Sequence, residues 1–230
     1  MSQSNIFVDI GNSSVKWRIP DSKVYSDGIE SFLSNSLPKV EVAWVSAVAH
    51  PHIVDYLNTQ FSKVNLVQSQ KKIGKLTISY KDSSRLGSDR FCAILGAMQQ
   101  FPSKPLLVID VGTAMTFDVV DSEGFHQGGL IMPGLRSLRE SFPKFETSNI
   151  TVNDYTLADD TDNAWKNGTQ VMLLAAINDQ INRFKLNFPD GVVAICGGIV
   201  NQIKNELPES TQFFDNLVLD GLESYSQSVG

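Results

Sequence analysis

Apolar and polar positions follow one another along the chain in short, regularly punctuated blocks. Ile6 to Asp9 is a β-rich run closed by Gly11, and VKWRI (Val15 to Ile19) alternates apolar with polar residues, as a strand returning from a tight turn does. VEVAWVSAV, Val40 to Val48, predicts another strand. HPHIVDYLNTQF then places Ile53, Tyr56, Leu57 and Phe61 at helical spacing, with Pro51 suited to the first turn. GSDRFCAILGAMQQF predicts a helix entered through Ser88 or Asp89, with Phe91, Ile94, Leu95 and Met98 as its buried stripe. FPSKP, Phe101 to Pro105, breaks that helix.

The blocks then begin again. PLLVIDVGTAMTFDVVD predicts a strand, a glycine turn and a second strand, Thr116 to Val120. HQGGLIMPG leads into a helix over Leu135 to Phe142, and a long helix is expected from about Asp160 to Phe184, stopped near Asn187-Phe188-Pro189. GVVAICGGI predicts a strand ending on Gly197 and Gly198, and Asn216 to Leu219 a last short strand. Strands alternate with helices, and each half holds one strand–turn–strand unit. The pattern predicts a duplicated α/β architecture, residues 1–101 and 102–230, with a cleft between the halves.

Composition narrows the functions open to such a fold. With 42% hydrophobic and 19% charged residues, the 230-residue chain has an ordinary globular balance and enough length for a substantial core. Its net charge of -6 argues against a broad basic face for nucleic acid. An anionic ligand would need local positive potential from backbone amides, a few Arg or Lys, or a metal. Cys92 and Cys196 sit far apart inside apolar runs and read as reduced core residues of a cytosolic protein. Met1 to Asn5 has neither the basic nor the apolar region of a signal peptide, and no apolar run approaches the roughly 18–20 residues that span a bilayer. Asn12-Ser13-Ser14 and Asn167-Gly168-Thr169 fit the glycosylation pattern only by chance in that setting.

The candidate chemistry lies in a repeated motif. FVDIGNSS (Phe7 to Ser14) and VIDVGTAM (Val108 to Met115) both end an apolar strand with aspartate, one residue and glycine. Glycine lets successive backbone N–H groups face one concavity and lets a phosphate approach closely. Asn12, Ser13 and Ser14, or Thr113 and Thr116, add neutral donors. Asp9 and Asp110 beside an anion make sense with a cation between them and the phosphates. One such motif alone reads as an ordinary turn; two, with the Gly197-Gly198 pair, favour phosphate binding. There is no G-x-x-x-x-G-K-[ST] loop, no G-x-G-x-x-G fingerprint and no G-x-S-x-G elbow. His50, His52 and His126 lack the partner spacing of a metal cluster.

DIGNSSVKW, YKDSSRLGSDR, DVGTAMTFDVV, GGLIMPG, AICGG and LVLDGL occur in the order seen in type III pantothenate kinases, and most of the chain resembles that family. The resemblance implies two ribonuclease H-like (actin-like ATPase) half-domains of α/β class, with the active-site cleft between them. It implies transfer of the γ-phosphoryl group of ATP to pantothenate, the first committed step toward coenzyme A, by a cytoplasmic homodimer. Asp9, Ile10, Gly11, Asn12, Ser13, Ser14, Val15 and Lys16 would form the first ATP-binding turn, with Asp9 holding Mg²⁺ through water. Asp110 would bind a monovalent cation, potassium or ammonium. Thr113 would touch the nucleotide, and Gly197 and Gly198 its adenosine side. Gly87, Ser88, Asp89 and Arg90 match the family's G-x-D-R, with Asp89 as general base; Tyr80 and Thr161 would line the pantothenate pocket. A non-catalytic regulatory protein of this fold, or a superfamily kinase acting on another small alcohol, would keep the same phosphate turns.

Without the resemblance these residues have plainer readings. Asp89 is then a helix cap, Arg90 a surface arginine, and Thr161 an N-cap with Asp159 or Asp160 as rivals. Tyr80 is a half-buried strand aromatic, Lys16 a solvated lysine, and Trp17 and Met115 core residues.

Overall fold

The computed structural model describes residues 5–145 and 157–229. Strands β1 (Asn5–Ile10), β2 (Ser14–Arg18) and β3 (Tyr25–Gly28) lead through the single turn α1 (Ile29–Phe32) to β4 (Val42–Ala47), helix α2 (Pro51–Gln60) and β5 (Lys63–Leu66). They form one sheet in the order β3-β2-β1-β4-β5. A small hairpin, β6 (Lys72–Ile73) with β7 (Leu76–Thr77), precedes helix α3 (Ser88–Gln100).

The plan then repeats with β8 (Leu106–Val111), β9 (Ala114–Val120), β10 (His126–Pro133), α4 (Leu135–Glu140), α5 (Thr161–Asn187), β11 (Val192–Cys196), α6 (Val200–Ile203) and β12 (Gln212–Phe213). This second sheet runs β10-β9-β8-β11-β12, the same order as the first. In both, the opening strand pairs antiparallel with the next and parallel with a later one: β1 with β2 and β4, β8 with β9 and β11. The duplication expected from the paired motifs is therefore a duplication of topology. Helix α7 (Leu217–Val229) ends the chain.

The chain divides into two compact units, Met1–Ser103 with Glu123–His126 and Asn216–Gly230, and Lys104–Ser122 with Gln127–Asp215. Helix α7 thus belongs with the first unit, although the sequence pattern groups residues 102–230 together.

Each sheet is organised by the period-2 alternation of its central strand. Ile6, Val8 and Ile10 of β1 share a core with Val15, Trp17, Ala43, Val45 and residues of α1 and α2. Leu107, Ile109 and Val111 of β8 share another with Met115, Phe117 and the Leu173, Ile177 and Ile181 face of α5. Asp9 and Asp110 fall at the alternate positions, so their side chains leave on the opposite face of each sheet. Each is the half-buried break near the end of an otherwise buried run. In the first unit that opposite face is covered by α3 and α7.

Helix α3 buries more than the predicted stripe. Leu95 and Met98 are only half-buried, whereas Cys92, Ala93, Gly96 and Ala97 are buried. The reason is α7, whose presence against α3 is not visible in the periodicity of α3 itself. A Cβ on Gly96 would meet the Leu217 carbonyl, and one on Gly221 would meet the backbone of Cys92. Arg18 of β2 fastens α7 from the other side through Asp220 and Glu223, each at 2.8 Å. The predicted strand at Asn216 to Leu219 is corrected by the same packing: Leu217 onward is helical. Both cysteines are buried, and Trp17 and Met115 are core residues. Among the described residues no helix is long and apolar enough to cross a membrane.

Candidate active site

The two glycine turns are built alike. In the first, the Gly11 N–H donates to the Ser14 carbonyl at 3.0 Å; in the second, the Gly112 N–H donates to the Ala114 carbonyl at 3.0 Å. The second is one residue shorter, because Val111 pairs with Met115 whereas Ile10 pairs with Val15. Asn12 and Ser13, and likewise Gly112 and Thr113, are exposed at the tips of strands that are otherwise buried. Each turn thus presents small residues at its exposed tip, held on rigid strands. Lys16 stands opposite Asp9 in the ladder and is half-buried, so it shares the Asp9 face of the sheet and is not a freely solvated lysine.

The Gly87 to Arg90 segment comes to that face. Ser46 of β4 is the parallel partner of Asp9, and its hydroxyl lies 3.1 Å from the Ser88 hydroxyl at the start of α3. Ser88 is buried and also faces the Ala47 carbonyl, at 3.4 Å. Its hydroxyl docks the helix on β4, so among the candidate substrate residues it turns inward. Burial, and then the negative charges of Asp9 and Asp89, push the Cys92 thiol well above its ordinary pKa, so one buried group feels both carboxylates.

Asp89 is not the helix cap. Gly87 occupies the N-cap, and Asp89 lies in the first turn with its carboxylate accepting from the Arg90 N–H at 2.7 Å. The absence of a side chain at Gly87 leaves room for the Asp89 carboxylate, which a Cβ there would push aside. The Ser69 hydroxyl fixes the approach by donating to the Leu86 carbonyl at 2.7 Å. Gly87→Ala is therefore expected to swing the Asp89 carboxylate aside and, with Asp89 in the general-base role that the resemblance implies, to lower turnover about tenfold. Steady-state assays beside a melting curve that stays near wild type would show it.

Arg90 is no surface arginine: it is 6% exposed and donates from Nη1 to the Tyr80 hydroxyl at 3.2 Å. Tyr80 is half-buried, with its ring 5.8 Å from that of the fully buried His126. The loop that carries it is pinned where Lys71 donates to the Tyr80 carbonyl at 2.9 Å and where Asp82 caps the short turn Ser83–Arg85. The Ser84 hydroxyl and amide hold the Asp82 carboxyl below its usual range. Gly87, Asp89, Arg90 and Tyr80 are thus brought together in one unit with Asp9.

In the second unit the turn is anchored by the start of α4. The Thr113 carbonyl accepts from the Gly134 N–H at 3.0 Å and from the Ser137 hydroxyl at 2.9 Å. Only glycine fits at 134, where a Cβ would strike the carbonyls of Gly112 and Thr113. The G-x-x-S spacing of Gly134 and Ser137 was the available signal for this support. Asp110 pairs in register with Thr116 and with Cys196, placing it one strand from Gly197. Gly197 has φ +125°, and a Cβ there would enter the Val111 backbone, whereas Gly198 is exposed with open space beside it. Thr161 is exposed at the first helical position of α5, and Asp160 is the true cap, accepting from the Asn163 N–H at 2.9 Å. A cavity of about 630 Å³ beneath α5, lined by Phe117, Gln127, Arg183 and Phe188 among others, contains none of the candidate residues.

Two sheets of one strand order, each ending its central strand in an Asp-x-Gly turn, define an actin-like ATPase fold. A conserved Campylobacter jejuni protein named for the Baf family of transcriptional activators shares it, with a TM-score of 0.67 at 20% identity over 96% of this chain and 97% of that one. MreB5 of Spiroplasma citri bound to ADP shares it at 0.55 and 9% identity, over 99% and 97%. Residues 5–183 match the family model for type III pantothenate kinase. The type III pantothenate kinase of Xanthomonas axonopodis pv. citri (strain 306) is 31% identical over 237 residues, spanning 96% of each chain. The chain belongs to the type III pantothenate kinase family.

Proposed function

We propose that the protein phosphorylates pantothenate at its primary hydroxyl with ATP, giving 4′-phosphopantothenate for coenzyme A synthesis. The observation that carries this reading is the convergence, on one sheet face, of Asp9 at the first glycine turn with the Gly87–Arg90 start of α3. Asp89 accepts the proton of the attacking alcohol. In a loose phosphoryl-transfer transition state that proton leaves late, so placement of the carboxylate matters more than its basicity. Arg90 has the fork to bind the pantothenate carboxylate or a phosphate. Tyr80 supports that guanidinium and offers an aromatic wall to the acceptor.

The turn residues Ile10 to Lys16 and Thr113 receive ATP phosphates, with Gly197 and Gly198 toward the adenosine. Asp9 suits magnesium held through water. That ion needs only one or two carboxylates plus phosphate oxygens, which fits a site where no cluster of three His, Cys, Asp or Glu stands ready among the described residues. When bound, magnesium offsets charge on the phosphates. Asp110 takes the monovalent cation, and the exposed Thr161 serves the acceptor near a second copy of the chain. Two cysteines buried far apart in the chain suit a reducing cytoplasm.

Purified protein with Mg²⁺, ATP and potassium is expected to release ADP only when pantothenate is added, with 4′-phosphopantothenate as the product. ADP release driven by a different small alcohol, or by none, would replace this reading.

A further inference from the structure

Resting on that reading, we propose that His50 is a positioning residue for the ATP phosphates, acting through the first glycine turn. His50 lies between β4 and α2 with φ +55° and ψ +60°, the left-handed region, immediately before Pro51. A residue preceding proline is steered toward extended backbone, and left-handed conformations are uncommon for residues with a Cβ, although His, Asn and Asp enter them more readily than the rest. The N-cap position it occupies does not explain the strain, because its side chain makes no bond to the start of α2.

The imidazole reaches the other way. Its Nε2 lies 3.0 Å from the carbonyl oxygen of Asn12, at the tip of the turn. To bond a carbonyl, Nε2 must carry the proton. The same loop reaches the turn a second time, where the Val48 N–H donates to the Ile10 carbonyl at 3.3 Å. His52 stands edge-on to the His50 ring at 5.7 Å, bounding it on a further side. The Asn12 carbonyl, at the exposed tip of the turn, would repel a phosphate, and the His50 imidazole occupies it. Because the peptide is planar, holding that carbonyl also holds the orientation of the Ser13 N–H on the same peptide unit. One partly exposed hydrogen bond returns less stability than a left-handed non-glycine residue costs, and such strain gathers at functional sites.

His50→Gly separates the two uses of the residue, because glycine adopts φ +55° without penalty but has no imidazole. His50→Asn, also tolerant of this backbone, is too short to make the bond. In the full-length protein both variants are expected to raise KM for ATP about fivefold, the equivalent of one hydrogen bond. The KM for pantothenate and kcat at saturating ATP stay within twofold, and His50→Gly melts at or above the wild-type temperature. ATP affinity within twofold of wild type in both variants, or parallel changes in both KM values and kcat that track lost stability, would overturn the proposal. Direct titration of wild type and variants with Mg-ATP keeps the two readings apart. A wild type that binds ATP but ignores pantothenate ends the kinase assignment and leaves the His50 comparison standing; a wild type that binds no ATP ends both.

Discussion

Asp89→Asn is expected to lower pantothenate-dependent turnover by about 10²-fold or more, with the protein still folded. Asparagine keeps the shape and an oxygen that can accept from the Arg90 N–H, so the first turn of α3 retains its bond. What it removes is the carboxylate proposed to take the alcohol's proton, and part of a favourable charge at a helix N-terminus, about 0.3–1 kcal/mol of stability. Magnesium-dependent ATP binding should persist, because Asp9 and the first glycine turn are unaltered. The decisive measurements are ADP release with and without pantothenate, beside a thermal melt. Turnover within a few fold of wild type would remove Asp89 from the role of base and leave Arg90 and Tyr80 as binding groups only.

Much of this site could be read from the chain because it is local. Asp9-x-Gly11 and Asp110-x-Gly112 each close an apolar run, and a strand end, a turn and a return strand are written in consecutive residues. The duplicated topology followed from finding that unit twice. Asp89 is legible as a helix-start residue, but not which position it takes: Gly87 holds the cap, and the Asp89 carboxylate lies over the space beside it.

What escaped depends on chain-distant packing. Ser46 is one small polar residue in a strand and acquires meaning only as the register partner of Asp9 and the neighbour of Ser88, 42 positions away. His50 looked like a histidine without metal partners, since nothing local announces that it bonds Asn12. Thr161 and Asp160 are equally good caps by composition, and the backbone alone decides between them. The C-terminal stretch was misread for a related reason. Leu217, Val218 and Leu219 are consecutive and all buried, which mimics a strand, and Gly221 looks like its terminator.

That glycine gives the second large prediction, Gly221→Ala. In an exposed helix the change would stabilise by about 1 kcal/mol, because alanine is the better helix former. Gly168 in α5 tests that sign: a Cβ there meets nothing, so Gly168→Ala should hold or raise the melting temperature. At Gly221 the added methyl meets the carbonyl and Cα of Cys92, backbone atoms of α3 that no rotamer change can move aside. Helix α7 must retreat, and the contacts that depend on its closeness retreat with it. These include the Tyr225 ring against Trp44 and Phe91, at 6.0 and 6.1 Å, and the Gln70 bond to the Tyr225 hydroxyl at 2.7 Å. The overpacking cost exceeds the propensity gain, for a net loss of about 2 kcal/mol. Urea unfolding should show a lower midpoint for Gly221→Ala and none for Gly168→Ala. Because α3 begins at the Gly87–Arg90 segment, any of the variant that remains folded should also lose turnover, through displacement of Asp89. A Gly221→Ala protein as stable and as active as wild type would mean that α7 does not pack on α3 at backbone contact.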